Sequence, residues 1–385
     1  MSKRFKILQL QPDYNVKRND FSDLAEQIVL ALPKERYEVT SAFLRGRPGP
    51  GEPVSRAEHS VYFEFSDNAL KGIMRLLVMW RLYQFCRKGQ FDAVICNRFK
   101  PVNMLLQLNR WLKIPLCIGI SHGFGEYDRH YRRRQVQVLA DKHWRFVGVS
   151  PAVKAYLLGC QSGFTDKNTY AISNAIDIEQ AERLQHSREH SRELLGLSPS
   201  VRLIGALGRL VPVKGHTYLL QAFARLKDKY PDTQLAIIGA GREDANLKAE
   251  IERLGLEGRA HLLGFRENAL QYVRAFDIWA MPSLSEGMSL ALMEGISGHL
   301  PVIASDIPAM SSVIQGAGGL LVKPADVPSL TSALDNYLGL SDETLRAKGE
   351  QAYQYLQAQH DIEVYRQEYL NLVETGLAQA GKAHP

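Results

Sequence analysis

Two glutamates and two cations stand where predicted strands lead into predicted helices. Glu286 lies in a glycine-bearing turn after an apolar strand, and Glu294 follows eight residues later in a helix. Arg209 and Lys214 lie in a similar turn after an earlier strand. Carboxylates accept hydrogen bonds from sugar hydroxyls, whereas cations and helix N-termini stabilise phosphate groups. Together these groups favour a ligand that carries both a sugar and a phosphate, such as a nucleotide-sugar.

Short β-rich runs alternate with helical patterns along the whole chain. The predicted strands span residues 5–11, 37–44, 61–65, 92–97, 115–122, 145–150, 201–207, 233–239, 260–265, 277–282 and 301–305. The clearest helical patterns span residues 69–87, 216–229, 244–254, 326–340 and 362–377. Such alternation predicts parallel sheets that helices cover on both faces. Because the strands form two sets, the sequence predicts an α/β protein with two doubly wound domains.

The segment Gly208–Gly215 followed by Glu286 and Glu294 resembles the C-terminal half of retaining GT-B glycosyltransferases of family 4. Their pattern reads G-R-L-x-x-x-K-G and then E-x7-E. Three further segments occur in the order that this family shows: Ser150-Pro151, Ser173-Asn174-Ala175-Ile176-Asp177 and Ile238-Gly239-Ala240-Gly241. The resemblance covers most of residues 115–325 and becomes weak in the first hundred residues.

The resemblance implies a GT-B fold, in which two doubly wound Rossmann-like domains face an interdomain cleft. An N-terminal acceptor-binding domain is expected at 1–172, with a C-terminal helix at 360–378 packing back on it. A nucleotide-sugar-binding domain is expected at 173–359. The implied activity is retaining transfer of a sugar from a nucleoside diphosphate sugar to a glycan or lipid-linked acceptor. Lipopolysaccharide core or another bacterial surface glycan is the expected product.

The resemblance also implies roles for individual donor-side residues. Arg209 and Lys214 are expected to contact the donor diphosphate, and Glu294 the ribose. Glu286 is expected to contact the donor sugar. The remaining expected donor-binding residues are Gly208, Gly239, Gly241, Gly287, Met288 and Ser289. The family often has aromatic and glycine residues where Met288 and Ser289 stand, so the donor sugar is not identified.

The first half of the chain supplies the expected acceptor side. His122 ends a predicted strand, and family members place a histidine there near the reacting carbon. A histidine held by a local backbone hydrogen bond is the structural alternative. A basic run follows, with Arg129, Arg132, Arg133 and Arg134 expected to bind an anionic acceptor. The alternative is a solvated helix start.

The charge balance of the two halves supports an anionic partner for the first. Residues 1–150 carry 25 Lys and Arg against 14 Asp and Glu, whereas the remainder carries 22 against 27. Such asymmetry favours an acidic substrate or a membrane surface. The helical pattern at 71–88 combines a wide apolar surface with basic residues, and either lies on an anionic membrane or is a buried crossover helix.

The segment 11–18 departs from the family pattern. Many members have a glycine pair after the first strand, whereas this chain has none there. Either Asn15, Lys17 or Arg18 replaces the donor contact of those glycines, or the segment contacts the acceptor alone.

Composition limits cofactors and location. No Asp-x-Asp motif and no metal-ligand spacing occurs, so the expected transfer needs neither a metal nor a cofactor. The four cysteines form no CxxC pair and are expected to be buried and reduced. The sequence shows no secretory signal or membrane span, so we expect a cytoplasmic protein that contacts the inner membrane peripherally at most, and we expect no nucleic-acid partner.

Competing functions fit the sequence less well. A dehydrogenase would need a third glycine where Asp244 stands. A glycoside hydrolase would place two carboxylates roughly 5–9.5 Å apart, whereas eight helical residues rise about 12 Å. A nucleotide-sugar epimerase or hydrolase that acts without an acceptor, and a catalytically silent binding protein, remain as alternatives.

Overall fold

A computed structural model describes residues 4–17 and 23–381. The chain forms two compact units. Unit 1 comprises Met1–Asn174 and Ile362–Pro385, and unit 2 comprises Ala175–Asp361. Each unit has its own apolar core. The divisions fall two residues after each of the boundaries expected at 172 and 359.

Unit 1 is built on a parallel sheet of seven strands. These are β1 (Phe5–Gln11), β2 (Tyr37–Phe43), β3 (His59–Tyr62), β4 (Ala93–Asn97), β5 (Leu116–Ser121), β6 (Trp144–Gly148) and β7 (Thr169–Ala171). Their order in the sheet is β3-β2-β1-β4-β5-β6-β7. The helices between them are α1 (Leu24–Leu30), α2 (Met74–Gly89), α3 (Phe99–Leu112), α4 (His130–Leu139) and α5 (Pro151–Gly159). Every residue of β4 and β5 is buried, as expected for parallel strands that helices cover on both faces.

Unit 2 repeats this design with six parallel strands. They are β8 (Arg202–Leu207), β9 (Thr233–Ile238), β10 (Ala260–Leu262), β11 (Ile278–Met281), β12 (Val302–Ser305) and β13 (Leu320–Val322), in the order β10-β9-β8-β11-β12-β13. Its helices are α6 (Ile178–Leu184), α7 (Arg188–Leu195), α8 (His216–Ala224), α9 (Asp244–Arg253), α10 (Leu290–Ser297), α11 (Ser311–Gly316), α12 (Val327–Leu338) and α13 (Asp342–Gln359). In both sheets the order reverses beside the first strand of the unit. Open α/β sheets bind ligands at that point, beyond the carboxyl ends of the strands.

The last helix, α14 (Ile362–Gln379), belongs to unit 1. The Tyr365 hydroxyl donates to the Leu24 carbonyl at 3.1 Å, and Arg366 Nε donates to the Gln27 side chain at 2.8 Å. Gly376 lets the helix approach β5, because a Cβ there would lie 2.6 Å from a methyl carbon of Leu116. Polar contacts and close packing therefore both fix this helix to the first sheet.

The fold class predicted from the sequence is confirmed: the chain has two Rossmann-like α/β units with parallel sheets. The predicted strand at 61–65 was partly wrong, because the paired residues are His59–Tyr62. Two strands of three residues each, β7 and β13, were missed, because so few residues show no periodicity. All four cysteines are buried and unpaired, as predicted.

Candidate functional site

The turn after β8 is pressed against the end of β11 in unit 2. It continues through a single 3-10 turn, Pro212–Lys214, into α8. Gly215 joins the two with a φ of +69°, and a Cβ there would lie 2.0 Å from the Pro282 carbonyl oxygen. Only glycine tolerates both this left-handed backbone and this approach. The glycine of the K-G pair therefore brings Lys214 to the loop that carries Glu286.

Lys214 and Glu286 form an ion pair in that loop. Lys214 Nζ lies 2.6 Å from Glu286 Oε1, and the two side chains are only 16% and 13% exposed. The buried Ser283 hydroxyl donates to the same oxygen at 2.8 Å. A backbone hydrogen bond of 2.8 Å, from the Leu284 N–H to the Val213 carbonyl, joins the two turns. The two motifs singled out from the sequence thus form one charged cluster.

Arg209 lies on the same turn and differs from Lys214 in its exposure. Its side chain is exposed, and within the described ranges no carboxylate pairs with it. Its guanidinium is therefore available to an anion from solvent. Lys214, by contrast, is largely buried and paired with Glu286.

Helix α10 follows the Glu286 loop and is seated on Trp279 of β11. The indole Nε1–H donates to the Ala291 carbonyl at 3.1 Å. Gly295 permits this packing, because a Cβ there would lie 2.3 Å from Nε1. Glu294, the fifth residue of the helix, is half-buried, and Ser289 caps its start without a side-chain hydrogen bond. The helix therefore begins shortly after Glu286 in the sequence. Its first N–H groups receive no hydrogen bond from the side chain of the N-cap residue Ser289.

The glycines after β9 pack against the turn after β8. A Cβ at Gly239 would lie 1.9 Å from the Gly208 carbonyl oxygen, and one at Gly241 would lie 2.2 Å from that of Leu210. The Leu210 N–H also donates to the Ala240 carbonyl at 2.9 Å. This close packing accounts for both glycines and shapes the turn that carries Arg209. Their contact with a donor stays a prediction.

His216 was not singled out from the sequence, although it directly follows the K-G pair. Its side chain is 4% exposed at the start of α8. Burial, and secondly the charge of Lys214, lower its pKa to about 4. The imidazole is therefore neutral near pH 7 and adds no charge beside Lys214. Its signal in the sequence was only its place next to the motif.

In unit 1, His122 belongs to a partly buried polar cluster at the carboxyl ends of β4 and β5. Its Nε2 lies 3.3 Å from Asn97 Oδ1, and its backbone N–H donates to Glu126 Oε1 at 3.3 Å. Burial, and secondly the charge of Arg98, lower the pKa of His122 to about 4. Burial raises the pKa of Glu126 to about 7. His122 is thus a neutral imidazole oriented by a side-chain amide.

Asn97 and Glu126 were missed from the sequence. Asn97 ends a fully buried strand, and Glu126 follows His122 by four residues. A polar residue that ends an apolar parallel strand was the available signal for Asn97. Nothing in the spacing of Glu126 indicated that its carboxylate folds back onto the His122 backbone.

The basic run at the start of α4 divides into two kinds of arginine. Arg132 donates to the Glu126 carbonyl at 2.7 Å, and its guanidinium lies 4.1 Å from the centre of the Phe99 ring. Arg132 and Arg133 are half-buried, whereas Arg129 and Arg134 are exposed. Arg132 therefore supports the His122 loop, and the exposed pair is free to meet an acceptor. That all four contact an acceptor stays a prediction.

The segment after β1 is only partly described. The backbone N–H of Lys17 donates to Asp23 Oδ2 at 2.9 Å, and Asp13 pairs with Arg45 at 2.5 Å. Arg18, one of the residues expected to replace a donor contact, lies outside the described residues. Across the described ranges, no group of three His, Cys, Asp or Glu side chains is arranged to hold a metal ion.

Comparison with known proteins shows which families this chain resembles. The model for glycosyltransferase family 4 matches residues 24–180, and the model for glycosyl transferases group 1 matches residues 187–355. The D-inositol 3-phosphate glycosyltransferase of Corynebacterium urealyticum is 32% identical over 195 residues, which are 48% of this chain and 46% of the relative. A UDP-Gal:α-D-GlcNAc-diphosphoundecaprenol α-1,3-galactosyltransferase of Escherichia coli is 29% identical over 69% of this chain and 73% of its own. The chain thus spans less than half the length of the first relative and nearly three quarters of the second.

A solved structure matches nearly the whole chain. Anabaena HepE, in complex with UDP and glucose, superimposes with a TM-score of 0.78 over 97% of this chain and all of its own, at 18% identity. At that identity the match establishes the fold alone. The two family models match segments of both units. The chain therefore belongs to glycosyltransferase family 4 and has the GT-B fold.

Proposed function

We propose that the enzyme transfers a sugar, with retention of anomeric configuration, from a nucleoside diphosphate sugar to a glycan or lipid-linked acceptor. The observation that carries this proposal is the cluster of Lys214, Glu286 and Ser283 at the start of α10. It pairs a cation from the turn after β8 with a carboxylate from the loop that leads into α10, and this combination suits a sugar diphosphate. The HepE complex with UDP and glucose supports a donor of this class.

The donor diphosphate lies against Arg209 and Lys214 in this proposal. Negative charge grows on the leaving diphosphate as the glycosidic bond breaks, so fixed cations stabilise the transition state more than the ground state. Glu286 and Ser283 hold the Lys214 ammonium in place before the donor arrives. An ammonium that is already oriented needs no reorganisation during the reaction. In this proposal the backbone N–H groups at the start of α10 add to this stabilisation.

The sugar and ribose contact the two carboxylates. Glu286 accepts a hydrogen bond from a donor-sugar hydroxyl through the oxygen that Lys214 and Ser283 do not use. Glu294 accepts hydrogen bonds from the ribose. Carboxylates accept hydrogen bonds from the hydroxyls of many sugars. In this proposal the backbone around Met288 and Ser289 therefore selects the donor sugar.

Retention in this proposal needs no covalent intermediate on the enzyme. The acceptor hydroxyl attacks from the face that the diphosphate leaves, and a phosphate oxygen takes the hydroxyl proton. The neutral imidazole of His122 contacts the donor sugar near the reacting carbon. Asn97 fixes which ring nitrogen carries the proton, since its Oδ1 accepts from Nε2. No metal ion takes part, because the cations supply the charge.

The acceptor binds to unit 1, whose segment 1–150 is strongly basic. The exposed Arg129 and Arg134 bind a phosphorylated acceptor, and lipopolysaccharide core is the acceptor that we favour. The E. coli relative, whose name specifies a diphosphoundecaprenol-linked acceptor, supports an acceptor that carries phosphate and a lipid. The reaction takes place in the cytoplasm or on the cytoplasmic face of the inner membrane.

Nucleotide binding tests the donor assignment. We expect UDP or GDP to raise the melting temperature, since a ligand at 100 times its Kd stabilises by about 2.7 kcal/mol. Arg209→Gln should weaken that binding at least tenfold, whereas Arg225→Gln, an equally exposed arginine at the end of α8, should not. The assignment fails if neither nucleotide binds or if both variants bind like the wild type.

A further inference from the structure

The first half of α2 exposes a cluster of large apolar side chains. The exposed fractions are 87% for Ile73, 57% for Met74, 71% for Leu76, 56% for Leu77 and 58% for Trp80. Single exposed apolar residues are normal, but five within eight positions form a patch that marks an interaction surface. The sequence left open whether this helix was buried or exposed to a membrane, and the structure excludes burial of this face.

Except for Met74, which stands four residues before Val78, the patch lies on the side of α2 that faces away from the stripe packed on unit 1. Val78, Leu82 and Cys86 are buried, and they recur every four residues. At 100° per residue, Leu76 and Trp80 lie on the other side of the helix. Leu76, Leu77 and Trp80 therefore add little to the core, which packs against the buried stripe and against the partly buried Met79, Tyr83 and Phe85.

Basic residues border the patch at both ends. Lys71 is exposed just before the helix, and Arg87 and Lys88 are exposed in its last turn. Arg87 follows Trp80 by seven residues, which is about 10 Å along a helix axis. That distance suits a helix whose first turns enter the acyl boundary while its last turn stays at the lipid headgroups, where long cationic side chains extend toward phosphate.

We propose that α2 is a membrane-docking element, which inserts Ile73, Leu76, Leu77 and Trp80 into the interface of an anionic lipid bilayer. This surface lies outside the proposed donor site and does not depend on which sugar is transferred. Charge complementarity selects the occupant. An anionic bilayer neutralises Lys71, Arg87 and Lys88, whereas the same helix of a second copy would bring the same cations and no Asp or Glu of its own. Across the described ranges no helix is long and apolar enough to span a bilayer, so the contact is interfacial.

Sedimentation with lipid vesicles tests the proposal without donor or acceptor, so the failure of one proposal does not affect the other. The probes are vesicles of phosphatidylcholine alone and of phosphatidylcholine with 30% phosphatidylglycerol. The wild type should partition onto the anionic vesicles. Leu76→Ser with Trp80→Ser should lower that partitioning at least tenfold. Val364→Ser is the matched control, because it removes an exposed apolar side chain of α14 in the same unit.

Charge and salt separate the two parts of the interaction. Arg87→Gln with Lys88→Gln should reduce partitioning about fivefold for each cation removed, and only on anionic vesicles. Salt at 0.5 M should mimic this loss but leave the effect of the serine substitutions. The proposal is wrong if the wild type stays in the supernatant with both vesicles, or if the serine variant sediments as the wild type does. A dimer in sedimentation velocity that Leu76→Ser abolishes would instead assign the patch to a second copy.

Discussion

Replacing Lys214 with methionine should lower kcat strongly. It should also destabilise the fold, because Glu286 loses its partner. The methionine keeps most of the side-chain volume and removes the ammonium that lies 2.6 Å from Glu286 Oε1. Loss of one preorganised charge at a developing anion typically lowers kcat by 10²- to 10³-fold, which is about 3–4 kcal/mol. We expect a loss in that range.

The same variant should also be less stable. Glu286 is 13% exposed and would keep only the Ser283 hydroxyl on that oxygen. Breaking a fully buried pair costs about 3–5 kcal/mol, and the remaining solvent contact and hydrogen bond reduce this to about 2 kcal/mol. For a unit of this size, that loss lowers the melting temperature by roughly 4–8 °C.

A double variant separates the two effects. Lys214→Met with Glu286→Gln removes the unpaired charge, so the melting temperature should return most of the way while kcat stays low. Arg209→Gln is the control, because its exposed side chain should affect kcat and leave the melting temperature unchanged. Initial rates, measured well below the unfolding transition of each variant, and thermal unfolding curves provide the comparison. Wild-type kcat in the Lys214→Met variant, or recovery of kcat in the double variant, would refute the role of the ammonium.

Three further results are expected. Transfer should run in excess EDTA at nearly the rate seen with Mg²⁺. A complete loss of transfer that only a divalent metal ion restores would show that Arg209 and Lys214 do not suffice to stabilise the diphosphate. Arg134→Gln should raise the acceptor KM and leave the donor KM unchanged. If neither KM changes, Arg134 does not contact the acceptor. Burial raises the pKa of Glu126 from 4.5 to about 7, so the folded state favours the protonated carboxyl. The protonated carboxyl contributes fully to stability below pH 4.5, and this contribution is lost as the pH rises through 7. In urea unfolding, the wild type should therefore lose stability relative to Glu126→Gln between pH 5 and pH 8, and a constant difference would mean that the pKa is not raised.

Much of the fold was predictable because parallel strands covered on both faces are uniformly apolar. β4 and β5 follow this rule, and their predicted bounds differ from the observed ones by a residue or so. The strand β7 has three residues and pairs only with β6, so its existence depends on long-range pairing that no local pattern shows. Long periodic elements carry their own signal, whereas short edge strands are specified by their neighbours.

The candidate site was predictable where a motif fixes the backbone. Gly215 requires a left-handed turn, and that turn places Lys214 beside the Glu286 loop. The ion pair itself was not predicted, because residues 72 positions apart meet only through the order of β8 and β11 in the sheet. The division of the arginine run was missed for a similar reason, since Phe99 and the Glu126 carbonyl, which engage Arg132, come from other elements.

The dependence of nucleoside diphosphate release on an acceptor tests the central claim most directly. The enzyme would be incubated with a panel of UDP- and GDP-sugars, with and without dephosphorylated and phosphorylated forms of a lipopolysaccharide core acceptor. We predict that one donor releases its nucleoside diphosphate at least about 100-fold faster with the phosphorylated acceptor, and that the new glycosidic bond keeps the donor's anomeric configuration by NMR. Equal release without any acceptor, or conversion of the donor into its epimer, would contradict the assignment as a transferase of this kind.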